Sequence, residues 1–260
     1  MPASLGPAML AGVLGLIVGG FLAHVAEATL VHRKLSRPQC PYCTTPYQPL
    51  QWSATVAYVT GQGRCGQCSR FIRVPRVVGE LFLALTWAFA VGLYGLGPRT
   101  LFTMITLMPQ AMILVTDLEA KLVPNRIMLP SLGAIVVIGT LVGPALPSLA
   151  EARWWQSLAG AATGFIIFRL LVWLGVALFG PGALGEGDIT LAAYVGAVVG
   201  FPLVFEALVL TFALGGVGAL LVLLLRRGKL GTAIPYGPFI ILGCALTQLW
   251  GAAILRWFLS

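Results

Sequence analysis

The chain has 260 residues, 58% of them hydrophobic and 9% charged, with a net charge of +8 and a mean hydropathy of +0.94. A soluble domain of this length would need far more charge to cover its surface, so the composition excludes one and fits a polytopic membrane protein. Nucleic-acid binding is set aside too, because the basic residues concentrate in short loops, as cytoplasmic segments of membrane proteins do, where contact with anionic membrane lipids accompanies them.

The first apolar run covers residues 8–30. No basic stretch precedes it and no small-residue cleavage site follows, so it reads as a retained helix rather than a removed signal peptide. Residues 31–76 are the one expected extramembrane segment, too small and too poor in apolar residues to fold on a core of its own. Between Glu27 and Glu80 this region contains no acid, against Arg33, Lys34, Arg37, Arg64, Arg70, Arg73 and Arg76.

Within it stand Cys40-Pro-Tyr-Cys43 and Cys65-Gly-Gln-Cys68. Two C-x-x-C knuckles about twenty residues apart are a ligand set for tetrahedral structural zinc, which supplies folding energy that a coreless loop lacks. A pair of disulfides is the competing reading, and a reducing cytoplasm disfavours it. Four thiolates leave no open coordination position, so the role is structural. Cys244, in the last apolar run, reads as an inert buried residue.

Seven further spans are expected at 77–96, 100–117, 127–143, 155–179, 188–201, 203–225 and 233–256, giving an all-α protein of about eight transmembrane helices. The sixth is short and reads as tilted or partly re-entrant. Gly15-xxx-Gly19 and Gly196-xxx-Gly200 have the spacing that lets helices approach closely. With the N-terminus outside, the inside loops hold twelve Lys or Arg, including Arg226, Arg227 and Lys229, and the outside segments hold three, Arg99, Arg153 and Arg256. That asymmetry sets the orientation. Arg169 lies within the fifth span and is expected to reach an internal acid or carbonyls. His24 and His32 read as interfacial.

Ionisable groups in or at the ends of spans are costly and mark function. Asp117 ends the third span, in Thr116-Asp117-Leu118-Glu119, and Asp188 begins the sixth after Gly185-Glu186-Gly187. Both fall at the same side of the membrane, so they are expected to meet although 71 residues separate them. Two facing carboxylates can share a proton, one activating a water and the other polarising a carbonyl. Gly185 and Gly187 would let the backbone bend and leave room for an extended peptide. A helix cap, a metal site or an ion pathway are the other readings of these acids, Asp at a helix N-terminus being favoured by the helix dipole.

The order of motifs carries a resemblance. Asp117-Leu-Glu-Ala-Lys-Leu-Val-Pro124-Asn125, then Gly185-Glu-Gly-Asp188, then Ile234-Pro-Tyr-Gly-Pro-Phe239, with the cysteine loop between the first two spans, resembles the type IV prepilin peptidase family across nearly the whole chain. The resemblance implies a GxGD-type aspartic protease of the bacterial inner membrane with its active site facing the cytoplasm. Its substrates are prepilins and pseudopilins, cut after a Gly between a basic leader and an apolar helix. It implies Asp117 and Asp188 as the catalytic pair, Glu119 and Glu80 as supporting residues, and Cys40, Cys43, Cys65 and Cys68 as zinc ligands.

The chain then divides into a first transmembrane helix (1–31), a zinc-binding domain (32–76) and a protease core (77–260). Many members also methylate the new N-terminus with S-adenosylmethionine. This chain departs from the family pattern at Gly20, Ala23, Ala28, Asn125 and Thr190, which bears on methylation rather than on proteolysis. A transporter using Asp117 and Asp188 as a proton or cation relay, and an inactive scaffold, are the rival functions.

Overall fold

The computed structural model describes residues 5–30, 37–141, 154–180, 185–224 and 235–259. His32, Arg33, Lys34, Arg153, Arg226, Arg227, Lys229 and Ile234, named above, lie outside the described residues, and so does the side chain of Arg256. The chain forms two compact units, Met1–Ala120 and Lys121–Ser260.

In the first unit α1 (Leu5–Leu30) leads to the cysteine module. The module holds a single 3₁₀ turn, Pro49–Gln51, and the short α2 (Ala54–Val59). α3 (Val74–Tyr94) and α4 (Pro98–Ala120) complete the unit. α1 lies against α3, and Gly15 and Gly19 are the reason the two backbones can touch. A Cβ at Gly15 would stand 2.7 Å from the Ala84 Cα, and one at Gly19 would stand 2.9 Å from the Glu80 Cα. The glycine spacing is therefore a helix-packing device, as expected.

The cysteine module gathers a core after all, though a very small one. Tyr47, Ala54, Ala57 and Ile72 are buried around Cys40 and Cys65. That is still little apolar area, and the module depends on hydrogen bonds and its cysteines for the rest.

The second unit contains α5 (Asn125–Leu141), α6 (Trp154–Phe179), α7 (Glu186–Val199), α8 (Leu203–Leu224) and α9 (Gly237–Leu259). α7 is its centre, packed by the other four helices, with eleven of its fourteen residues buried. At 14 residues it rises only about 21 Å, short of a full hydrocarbon core, and its burial lets it do without lipid contact. α6 and α7 meet where Gly160 faces Gly196 and Gly164 faces Ala192. Gly200 lies at the same contact, its carbonyl carbon 3.0 Å from where a Cβ on Gly160 would stand, and it also ends α7 with φ +75°.

Each of the eight expected spans coincides with one of the long helices. Five of these are long and apolar enough to cross a membrane: Leu5–Leu30, Val74–Tyr94, Pro98–Ala120, Trp154–Leu178 and Leu203–Leu224. Asn125–Leu141 and Gly237–Gly251 are shorter apolar helices. Large apolar side chains such as Leu158, Phe165, Leu170 and Trp173 on α6 point outward, where only lipid would suit them.

Candidate active site and cysteine centre

The two cysteine knuckles repeat one another 25 residues apart. Cys40 N–H donates to Thr45 O and Thr44 N–H to Cys40 O; likewise Cys65 N–H donates to Arg70 O and Ser69 N–H to Cys65 O, each at 2.9 Å. An antiparallel bridge closes each loop, Gln39 with Pro46 and Arg64 with Phe71. The residue after the second cysteine turns left-handed in both, Thr44 at φ 58° and Ser69 at φ 55°. This tight turn aims both thiols of a knuckle the same way.

The four sulfur atoms consequently lie within 4.8 Å of one another, with Cys40 Sγ 3.6 Å from Cys68 Sγ and Cys43 Sγ 3.5 Å from Cys65 Sγ. The cluster could hold one metal ion in a closed four-thiolate shell. Hydrogen bonding with the Thr45 hydroxyl and backbone draws the Cys43 thiol down to about 6, while Cys68, despite a backbone hydrogen bond at Arg70, is pushed up to about 11 by burial and by hydrogen bonds with the other three thiols. Removing one donor would leave the cluster with three.

The module is fastened to the helices by charged residues. Glu80, fully buried on α3, accepts from Ser53 Oγ at 2.7 Å, Ala54 N–H at 2.7 Å and Thr55 N–H at 2.8 Å. Ser53 is the N-cap of α2, and its oxygen also accepts from Val56 N–H. The carboxylate therefore satisfies backbone donors that the start of a helix leaves open. Arg76, 1% exposed, donates to Trp52 O at 3.1 Å and lies 3.6 Å from Glu27 Oε2. Arg76 pairs with Glu27, and the Glu80 carboxylate is taken up by the start of α2.

Asp117 sits in the last turns of α4, and every residue from Gln110 to Asp117 is buried. A carboxylate that merely met lipid headgroups would not be enclosed in this way. Glu119, two residues on, forms an ion pair with Arg73 at 3.0 Å, its side chain only 6% exposed. The Arg73 guanidinium also lies 5.6 Å from the ring of Tyr42, inside the first knuckle. In the sequence alone, Arg73 and Arg76 read only as topology charges. The signal that could have found them is their place at the start of α3, a few residues from Glu80.

Asp188 belongs to the second unit and Asp117 to the first. Asp188 is the third residue of α7 and is 7% exposed. Its Oδ2 accepts from Gly185 N–H at 3.3 Å, the capping role weighed above. The neighbouring Glu186 is 86% exposed and pairs loosely with Arg169 at 3.8 Å, so the acid Arg169 reaches lies on the surface, not inside.

The backbone beside Asp188 makes no sharp bend at Gly185 and a close contact at Gly187. Gly185 is in ordinary extended conformation, φ −78° and ψ 140°, and makes no special bend. The space at Gly187 is already filled: a Cβ there would stand 2.7 Å from the Cβ of Val123. Val123 comes from the segment after Asp117, so two of the motifs interlock at this point. The third motif is seated by aromatic rings. Tyr236 lies over Gly215 and Phe239 over Gly218, both on α8, with α9 beginning at Gly237.

Residues 104–220 match the type IV leader peptidase family, and residues 13–94 match the bacterial peptidase A24 N-terminal domain. A protein of Bacillus subtilis (strain 168) named prepilin leader peptidase/N-methyltransferase is 27% identical, the alignment covering 95% of this chain and 96% of that one. Proteins of the same name from Aeromonas hydrophila and Pseudomonas putida are 28% and 26% identical, over 86% and 94% of this chain and 75% and 91% of their own. No solved structure matches the chain significantly.

Proposed function

Because the chain belongs to the type IV leader peptidase family, we propose that it cleaves the leader from prepilins or pseudopilins at the cytoplasmic face of a bacterial inner membrane. The observation that carries this is the end-to-end likeness to proteins named for that activity. We assign the chemistry to Asp117 and Asp188. Both are buried carboxylates in a chain with eight acids in all.

In this reading the two aspartates hold one proton between them, since two like charges at close range cannot both ionise cheaply. The ionised one takes a proton from water as it attacks the scissile carbonyl, and the protonated one donates to the carbonyl oxygen. No covalent intermediate forms. The dyad titrates as a unit, so neither aspartate owns the proton. Glu119 and Glu80 support the site, the first by its pairing with Arg73 and the second by holding α2.

The metal is zinc in this proposal. Thiolates at about 2.3 Å in a tetrahedron stand roughly 3.8 Å apart, close to the 3.5 and 3.6 Å seen for two of the pairs. In this proposal the N-terminus lies outside and the cysteine module in the cytoplasm, a reading that the distribution of loop charges supports.

The relatives' name also includes an N-methyltransferase, which would draw on S-adenosylmethionine. A cavity of about 470 Å³ between α1 and the cysteine module does not fit that donor. Among the described residues its lining has no acid, Lys or Arg to meet an ammonium, carboxylate or sulfonium, so no methyl-transfer step is assigned to it.

The test is cleavage of a purified prepilin by the wild type, Asp117→Asn and Asp188→Asn, with product masses. Each substitution is expected to lower the rate by about 10²–10⁴-fold or more. Retained cleavage in either would remove the dyad. Ion flux in proteoliposomes without any cleavage would restore the transporter. A gain of about 14 Da on the product with added S-adenosylmethionine would establish methylation.

A further inference from the structure

The cavity that fails for a charged methyl donor has a lining suited to something else. Ile17, Phe21 and His24 supply one wall, a single stripe of α1, and Leu50, Trp52 and Val56 of the cysteine module supply the other. The polar groups in the second wall are already used. Trp52 Nε1–H donates to Tyr47 O at 3.3 Å, and the Ser53 hydroxyl is spent on Glu80. What remains facing the space is hydrocarbon, indole and the imidazole of His24.

The stripe does not stop at the cavity. Leu10, Leu14, Ile17 and Phe21 follow one another along α1 at helical spacing and are 66%, 53%, 63% and 58% exposed. α1 is long and apolar enough to cross the bilayer, so this exposed ridge faces acyl chains. The ridge runs directly into the cavity, near the end of α1 that leads to the module. Trp52, half exposed, stands there as tryptophan does at a membrane interface.

Charge decides the headgroup. The sequence from Ala28 to Gly79 contains seven Lys or Arg and no acid; Arg76 is buried against Glu27 and Arg73 pairs with Glu119, while Arg37, Arg64 and Arg70 are exposed. Of these, Arg37 adjoins Pro38, another residue of the cavity wall. A basic leader peptide would be repelled here, whereas an anionic lipid is attracted.

We propose that the cleft between α1 and the cysteine module is a seat for an anionic phospholipid. One acyl chain lies along the Leu10–Phe21 ridge and ends against Trp52 and Val56, and the headgroup faces the basic surface of the module. The lipid would thus complete the packing of the module against the membrane.

The test uses the full-length protein in phosphatidylcholine vesicles carrying a phosphatidylglycerol probe with a photoreactive diazirine in its acyl chain. Peptide mapping should place the cross-links on the 17–24 and 49–56 segments. A phosphatidylcholine probe with the same chain should label these segments about fivefold less, the bias that one basic residue gives towards an anionic surface. Arg37→Gln should narrow that difference. Val56→Trp, which fills the cleft, should abolish the site-specific labelling. Ile17→Trp is a second filling variant should the first lose its bound metal, and Val209→Trp on the outside of α8 is the control.

Labelling spread evenly over all outward helices and insensitive to both filling variants would overturn the proposal. Equal capture of the two probes would overturn it as well. Displacement of the probe by a purified prepilin would give the cleft to the substrate instead.

Discussion

Arg73 Nη1 lies 3.0 Å from Glu119 Oε2, so the N-cap of α3 is tied to the end of α4 two residues beyond Asp117. The same guanidinium faces the ring of Tyr42, which sits between Cys40 and Cys43. A single arginine thereby connects the cysteine module to the aspartate-bearing helix end. With Glu119 mostly buried and Arg73 about a third exposed, the pair is worth more than a surface ion pair and less than a dry one. We expect Arg73→Gln to lower cleavage and thermal stability. Combined with Glu119→Gln it should do less harm than the two single effects summed, with a coupling of about 0.5–3 kcal/mol. Strict additivity in the double-mutant cycle would show that the contact does not matter.

Glu80 makes a sharper prediction. Three donors converge on its carboxylate, two of them backbone N–H groups at the start of α2. Glu80→Gln keeps the shape but removes the charge and turns a donor towards other donors. Hydrogen bonds to a charged group contribute about 1.5–3 kcal/mol each, so the variant should open the 53–59 segment to protease at least as readily as it slows catalysis. Wild-type protection of that segment in the variant would contradict this role.

Much of this architecture was legible in advance. Long apolar runs fix membrane helices because lipid can satisfy no backbone group, and all eight expected spans fall on helices. The cysteine cluster was legible because its ligand spacing is chemical. The reasons behind single residues were not. Gly187 carries no mark that its missing side chain makes room for Val123, since a close approach depends on a partner 64 residues away. Nor did Glu80 announce that it caps a helix in another segment. Arg76 looked like a loop charge and is one of the most deeply buried side chains in the chain.

Metal removal should act first on the module. Its core is four apolar residues around two of the cysteines, too few to hold the fold. Stripping the metal with a strong chelator, or Cys65→Ser, should expose the 37–73 segment to proteolysis while the helices of the second unit keep their protection. Metal analysis of the intact protein should return one ion per chain, absent in the serine variant. A module that stays protease-resistant without metal would assign its stability to Glu80 and Arg76 alone.

The interlock of Gly187 with Val123 separates two explanations of the glycine beside Asp188. If the glycine exists to leave room for a substrate peptide, Gly187→Ala should impair cleavage whatever residue stands at 123. If it exists because Val123 packs there, the added methyl strains that contact, and overpacking of this kind costs about 1–3 kcal/mol. Gly187 has no left-handed φ that an alanine would violate, so sterics alone are at issue. We expect Gly187→Ala to lower activity and thermal stability together, and Gly187→Ala with Val123→Ala to recover most of both. Recovery of stability without activity would instead place the substrate against Gly187, next to the capped carboxylate of Asp188.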